Sequence, residues 1–451
     1  MGRADSSGER VGHGLSCGSY NSSRSEEAKR AAVGRAIDQH SLRWLLGKMR
    51  MGAKGPGGGK AKGESGRQRQ PMYAAVELKK KVGAVPRQEK LTITEGPEKE
   101  WEIGEDVEAK ATEAIKQLLE THRGTFAYNL QELGQYKGGE LEIKLTTEIL
   151  TYQRRRRRNA EDATICKENI KELLALGIIR PSESSYAAAT VVTTRKDLIG
   201  AVLSWRMCGD YRDINKFTES DRYPMPTAED IFDLLEGAVI FTTIDLRQGF
   251  NQIAIREEDK RKTAFHKVDG LYEYNKMPFG MRNASAVFQR VMDQVLHGIP
   301  AAACYIDDVL VFSKTDTQQA EDLRWMLEAI AATRLTCHPE KCKIVRRTVG
   351  YLGFELKGGR LGIQEAKVKV LDKLAPLKDK SGLRALLGFL NYYRKFVPNF
   401  SRRANFLNQL LREGKRWEWG KEEEAAKQDL LEAVRTGTLL QIPRADAPFT
   451  L

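Results

Sequence analysis

The chain has 451 residues, 41% hydrophobic and 30% charged, with a formal net charge of +13, which is ordinary globular material for two to four domains at roughly 100–200 residues each. No apolar run approaches the ~20 residues of a membrane helix, and the opening Met1-Gly2-Arg3-Ala4-Asp5 lacks the apolar stretch of a secretory signal. Six cysteines are too sparse for a disulfide scaffold, so the expected location is cytoplasmic or nuclear, not secreted, with no membrane partner.

The charge is unevenly spread. Residues 1–70 carry 14 basic and 6 acidic side chains and 14 of the 39 glycines. They therefore supply +8 of the +13, leaving +5 for the rest. Such a segment buries too little apolar surface to offset its ordering entropy. Residues 1–90 are expected to be a disordered basic arm, either a nucleic-acid contact without sequence preference or a solvated tail.

Next comes a linker and N-terminal extension over 91–159. Within it 106–122 reads as an amphipathic helix with Val107, Ala111, Ala114, Ile115, Leu118 and Leu119 on one face. Arg154 to Arg158 are five consecutive arginines, read either as a solvated segment or as an extended strap facing phosphate. A second helix over 160–176 stops at Gly177, with Pro181 soon after.

Strands and helices alternate through the centre. Residues 189–194 and 205–211 read as strands, and Thr227-Ala228-Glu229-Asp230 as a capping box opening a short helix through Leu235. A buried strand over 239–244 ends at Asp245, with 251–255 expected as its partner. Asp269-Gly270 signals a hairpin between Phe265 and Tyr274. A helix over 284–297 is expected with Asn283 as cap and Gly298 as stop, followed by the apolar runs 302–306 and 309–312 pivoting on Asp307-Asp308. Residues 317–335 read as helix and 343–356 as a hairpin around Val349-Gly350. The last hundred residues read as mostly helical, with Leu383, Leu386, Leu387 and Leu390 at helical spacing. The class is α+β with an antiparallel sheet.

Asp307 and Asp308 admit two readings. Asp is welcome in any polar hairpin turn. Yet both flanking strands read as buried, and adjacent carboxylates at the edge of a core are stabilised by a cation between them. Asp245 repeats the pattern at the end of another apolar strand. Three such acids favour magnesium or manganese over zinc and suit a two-metal displacement at phosphorus. Cys337, His338 and Cys342 do not have the usual spacing of zinc ligands.

From about residue 115 to the last, the chain resembles the reverse transcriptases of gypsy-type (Metaviridae) long-terminal-repeat retrotransposons. The resemblance rests on many motifs in family order. They include Gly177-Ile178-Ile179-Arg180-Pro181-Ser182, Trp205-Arg206-Met207-Cys208, Asp210-Tyr211-Arg212, Tyr223-Pro224-Met225-Pro226 and Thr243-Ile244-Asp245-Leu246-Arg247-Gln248-Gly249-Phe250. Met277-Pro278-Phe279-Gly280, Tyr305-Ile306-Asp307-Asp308, Tyr351-Leu352-Gly353-Phe354 and Asn391-Tyr392-Tyr393-Arg394 continue the series.

The resemblance implies a right-hand polymerase: fingers and palm over 160–345, primer grip and helical thumb over 346–414, and the start of a connection or ribonuclease H-like region over 415–451. It implies RNA-directed DNA synthesis, with dNTPs as substrates and an RNA or DNA template with primer as partner. Asp245, Asp307 and Asp308, with the Leu246 carbonyl, would hold two Mg²⁺ ions, for which Mn²⁺ can substitute. Arg206, Lys196, Gln248 and Gly249 would bind the nucleotide, with Gly249 leaving room for the triphosphate. Phe250 would be the ring that excludes a ribose hydroxyl, the alternative being a core side chain. Phe279, Gly280, Gln289, Tyr305, Tyr351, Leu352 and Gly353 would meet template or primer. The chain departs from the family by about six extra residues over 198–203, by Gly209 where a β-branched residue is usual, and by Ser285 in place of Pro. It also ends before any ribonuclease H acid. These departures keep open a second reading, an inactive remnant that binds nucleic acid.

Overall fold

A computed structural model describes residues 101, 103–157, 159–196, 202–267, 270–372, 377–437 and 439–442. The expected arm over 1–90, Arg158 and most of the extra fingertip residues lie outside them. The described residues fall into two compact units, one formed by 377–436 and the other by the remainder.

The larger unit is built on a four-stranded antiparallel sheet in the order Lys343–Arg346, Ile240–Asp245, Asp308–Ser313, Ala302–Tyr305. Ile240, Phe241, Thr242 and Ile244 are all buried, so this central strand is covered on both faces. The Thr242 hydroxyl is not orphaned by that burial: it accepts from Gln319 Nε2 at 2.9 Å and from the Val345 amide at 3.0 Å. Helices Asp316–Thr333 and Ala284–Val295 pack on the sheet. The first buries Leu323, Met326, Leu327 and Ile330 along one stripe, and Thr315 caps it by accepting from the Gln318 amide.

Around this sheet lie a hairpin of Thr190–Lys196 with Val202–Gly209 and a three-stranded sheet of Ile179–Pro181, Gly270–Tyr274 and Phe265–Lys267. A further sheet runs Thr348–Tyr351, Phe354–Lys357, Arg360–Ile363, Leu440–Gln441. The expected capping box is present: Thr227 Oγ1 accepts from the Asp230 amide, and Asp230 returns the bond. The helix Ala160–Ala175 ends as expected at Gly177, whose φ is +64°. The N-terminal extension is part of the core, since Ile115, Leu119, Phe126, Leu141 and Ile143 are buried.

Three local expectations are corrected. Residues 251–255 do not pair with the central strand; Gly249–Gln252 is a 3-10 turn, and Ala254–Ile255 pairs in parallel with Glu140–Leu141. The apparent alternation there reflects Gln252, a buried amide that donates to the carbonyls of Arg247 and Thr336, both at 2.8 Å. The hairpin over 343–356 turns at Leu352-Gly353, not at Val349-Gly350, because Lys343–Arg346 is recruited to the central sheet. Asn283 occupies the N-cap position of its helix but makes no side-chain capping bond; its side chain instead joins the Asp221 amide and the Glu219 carbonyl. The strands over 348–363 belong to the larger unit, and helix Lys421–Arg435 belongs to the smaller.

The smaller unit packs helices Lys380–Tyr392, Phe400–Leu410 and Lys421–Arg435 through Leu383, Leu386, Leu387, Leu390, Leu407, Leu410, Leu430 and Val434. Asp379 caps the first helix, accepting from the Gly382 amide at 2.7 Å.

Candidate active site

Antiparallel register brings the acids together. Asp308 is the direct cross-strand partner of Asp245, and also of Tyr305 on its other side. Only Ile306 and Asp307 separate Tyr305 from Asp308, so Asp307 sits in a two-residue turn beside the Asp245–Asp308 pair. Ile306 has φ +59°, the left-handed first position of a type II′-like turn. Directly opposed like charges destabilise a sheet, so this arrangement calls for a cation.

The structure supplies one from its own chain. Lys341 Nζ lies 2.9 Å from Asp245 Oδ1. The segment carrying it is pinned to the strand end, where the His338 amide donates to the Asp245 carbonyl at 2.8 Å and the Arg247 amide to the Thr336 carbonyl at 3.0 Å. These bonds bracket a bridge between Leu246 and Cys337. The Leu246 carbonyl itself is not used in them.

Among the described residues no three His, Cys, Asp or Glu side chains converge on a point that would hold a metal ion. The register places their strand ends side by side, and Lys341 pairs with Asp245. The donor set still fits a hard cation, being all oxygen, with an ammonium standing against one carboxylate as a stand-in ion. Burial pushes the nearby Cys342 thiol up to about 12 and the Cys337 thiol well above its ordinary range. Burial, with help from Arg247 and Lys341, pulls His338 below the usual imidazole value.

The other expected site residues divide into those that face the sheet edge and those that support it. Phe250 is half-buried, with its ring 5.1 Å from Phe279 and 5.3 Å from Phe288. Gln248 adopts φ +45° and opens the 3-10 turn. Gly249 is buried, and a Cβ there would stand 2.7 Å from Phe288 Cζ. Phe288 thus gives a packing reason for a glycine at this position. Gly280 is exposed with φ +93°, and its carbonyl accepts from Asn215 Nδ2 at 2.8 Å. At Arg206 and Lys196 only the backbone is described; Arg206 pairs with Thr193 and Lys196 with Val202 on the hairpin.

Two residues expected to touch template or primer are turned inward. Tyr351 is 3% exposed, and its hydroxyl donates to the Asp308 carbonyl at 2.9 Å. Gln289 is fully buried, with its amide engaged by the Tyr305–Asp308 turn. Leu352 and Gly353 form the turn of the neighbouring hairpin, both with positive φ. What sequence reasoning missed was Lys341, which lies 96 positions from its partner and in no acidic motif.

The arginine run is irregular and exposed over 154–157. Gln153 anchors it, donating to Asp213 Oδ2 at 2.7 Å and accepting from the Ala189 amide at 3.0 Å. Arg156 and Arg212 share Asp210, each at 2.6 Å. The Arg212 and Arg156 guanidiniums hold that carboxyl below the usual range.

Residues 196–356 match the family described as reverse transcriptase (RNA-dependent DNA polymerase). The chain carries a reverse transcriptase domain. It is 34% identical over 289 residues to the retrovirus-related Pol polyprotein from transposon 297 of Drosophila melanogaster, covering 63% of this chain and 27% of that one. It is 35% identical over 247 residues to the corresponding polyprotein from transposon gypsy of the same organism, covering 54% and 24%. The chain thus spans about a quarter of the length of these curated relatives. In fold it is similar to the foamy viral protease-reverse transcriptase in complex with ds DNA, with a TM-score of 0.69 at 22% identity, covering 74% of this chain and 59% of that one. The same viral protein in complex with RNA/DNA hybrid gives 0.67 at 21%, covering 76% and 46%.

Proposed function

We propose that the reverse transcriptase domain makes this chain an RNA-directed DNA polymerase of a gypsy-type retrotransposon, with a right-hand arrangement of fingers, palm and thumb. The observation that carries the reading is the cross-strand pairing of Asp245 with Asp308 beside the Asp307 turn. In the reaction, the primer 3′-oxygen attacks the α-phosphorus of a dNTP. The bond from that phosphorus to the bridging oxygen breaks, pyrophosphate leaves, and the hydroxyl proton passes to water.

Asp245, Asp307 and Asp308, with the Leu246 carbonyl, would hold two Mg²⁺ ions, which neutralise charge on the attacking and leaving oxygens when bound. The remaining work is positioning, because phosphoryl transfer needs little covalent help from protein. Gln248 and Gly249 would present backbone to the triphosphate, and Arg206 and Lys196 would close over it. Phe250, Phe279 and Gly280 would line the nascent pair. The hairpin turn Leu352-Gly353 would aim the primer end, and Tyr305 would lie beside it. The test is incorporation of dTTP by purified protein on a poly(rA)/oligo(dT) primer-template with Mg²⁺. Template-dependent extension supports the reading. Binding of primer-template without extension would assign the chain to the inactive, nucleic-acid-binding reading instead.

A further inference from the structure

Ile306 is a β-branched residue held at φ +59°, a conformation that such side chains almost never adopt unless their surroundings impose it. The surroundings here are specific. The Ile306 amide donates to Gln289 Oε1 at 2.7 Å, and the Ile306 carbonyl accepts from Cys304 Sγ at 2.9 Å. The other end of the same Gln289 amide donates to the Cys304 carbonyl at 3.0 Å and to Asp293 Oδ1 at 2.8 Å. Asp293 is tied down in turn by the Tyr223 hydroxyl at 2.6 Å. Gln289 is fully buried on helix Ala284–Val295. Its side chain therefore joins a helix to the incoming strand and to the first residue of the turn that presents Asp307 and Asp308.

We propose that Gln289 is a positioning residue, whose amide clamps the strained Ile306 peptide and so sets where the two turn carboxylates point. Gln289 touches neither template nor nucleotide. The proposal deepens the polymerase reading and rests on it. A glycine at 306 adopts positive φ without cost from a side chain, so the clamp matters less once Ile306 is replaced. That makes the clamp distinguishable from a general packing role.

The experiment is a two-residue cycle of Gln289→Met and Ile306→Gly in the full chain. Gln289→Met, close in shape but without the amide, should lower kcat about tenfold, leave the Kd for a blunt duplex within about twofold, and regain at least about threefold in kcat when Ile306→Gly is added. Hydrogen exchange in the peptide over 302–312 should also quicken in Gln289→Met. If Gln289→Met fails to fold by circular dichroism, Gln289→Leu, which likewise lacks the amide oxygen that holds the Ile306 N–H, takes its place in the cycle. An unchanged kcat, a Kd that rises in step with the loss, or no recovery with Ile306→Gly would overturn the proposal. An inactive wild-type protein would defeat the polymerase reading alone. Exchange over 302–312 would then decide the clamp, faster exchange supporting it and unchanged exchange refuting it.

Discussion

Lys341 Nζ stands 2.9 Å from Asp245 Oδ1, across 96 residues of sequence, and Asp245 in turn faces Asp308 across the sheet. One ammonium thus relieves part of the repulsion between two opposed acids. A divalent ion that binds Asp245 must compete with it. Both partners keep solvent access, at 53% and 26% of their side-chain surface, so the pair is worth about 0.2–1 kcal/mol. Removing it by Lys341→Met should tighten Mn²⁺ binding by about 1.4- to 5-fold in titration calorimetry, with a smaller difference at high salt. Weaker Mn²⁺ binding in the variant would show that Lys341 assists the ion instead of displacing it.

Phe250 is wedged between Phe279 and Phe288, which holds its ring against being pushed aside by a ribose hydroxyl. Overpacking commonly costs about 1–3 kcal/mol, equivalent to roughly 5–150-fold in rate. Phe250→Val should therefore raise ribonucleotide incorporation relative to deoxynucleotide by a factor in that range. Phe312, buried on the neighbouring strand, is the control, since its truncation should harm both substrates alike. Equal loss for both sugars in Phe250→Val would return this ring to the core.

Gly249 is required by packing. A methyl there would meet Phe288 Cζ at 2.7 Å, with little room for the ring to yield because Phe288 is fully buried. Gly249→Ala should lower the urea midpoint, corresponding to a loss of about 1–3 kcal/mol, and Phe288→Leu should recover part of it. If the midpoint holds while the KM for dNTP rises, the glycine serves the triphosphate instead.

The acids were legible because two apolar runs pivot on Asp307-Asp308 and a third ends at Asp245, a pattern that buried strands leave in any sequence. Thr227 and Asp230 were legible for a similar reason, since a capping box is complete within four residues. The turn at Leu352-Gly353 was not, because Leu352 has none of the residue types that advertise φ +48°. Gln289 and Lys341 were invisible as supports of the turn and the strand end. Their partners are a backbone amide 17 residues away and a carboxylate 96 residues away, and only the assembled sheet brings them near.

The exposed arginines over 154–157, with Arg212 and Lys216 nearby, form a basic surface suited to phosphate. Affinity for primer-template should fall with salt at a log–log slope of about −0.9 per phosphate neutralised on B-form duplex, or about −0.7 on a single strand. Arg154→Ala should reduce that slope by roughly one such unit and leave any base preference unchanged. A slope that does not move would leave the run as a solvated segment.

The central claim is that Asp307 serves chemistry and not the fold. Asp307 is exposed in its turn, so removing its charge should cost little stability. The decisive measurement pairs two readouts on Asp307→Asn: Mg²⁺-dependent extension of oligo(dT) on poly(rA), and binding of the same primer-template. The account predicts extension lost by at least about a thousandfold, some 4 kcal/mol of transition-state stabilisation, with binding and thermal midpoint close to wild type. Extension that survives in the variant, or extension and binding lost together with the fold, would contradict it.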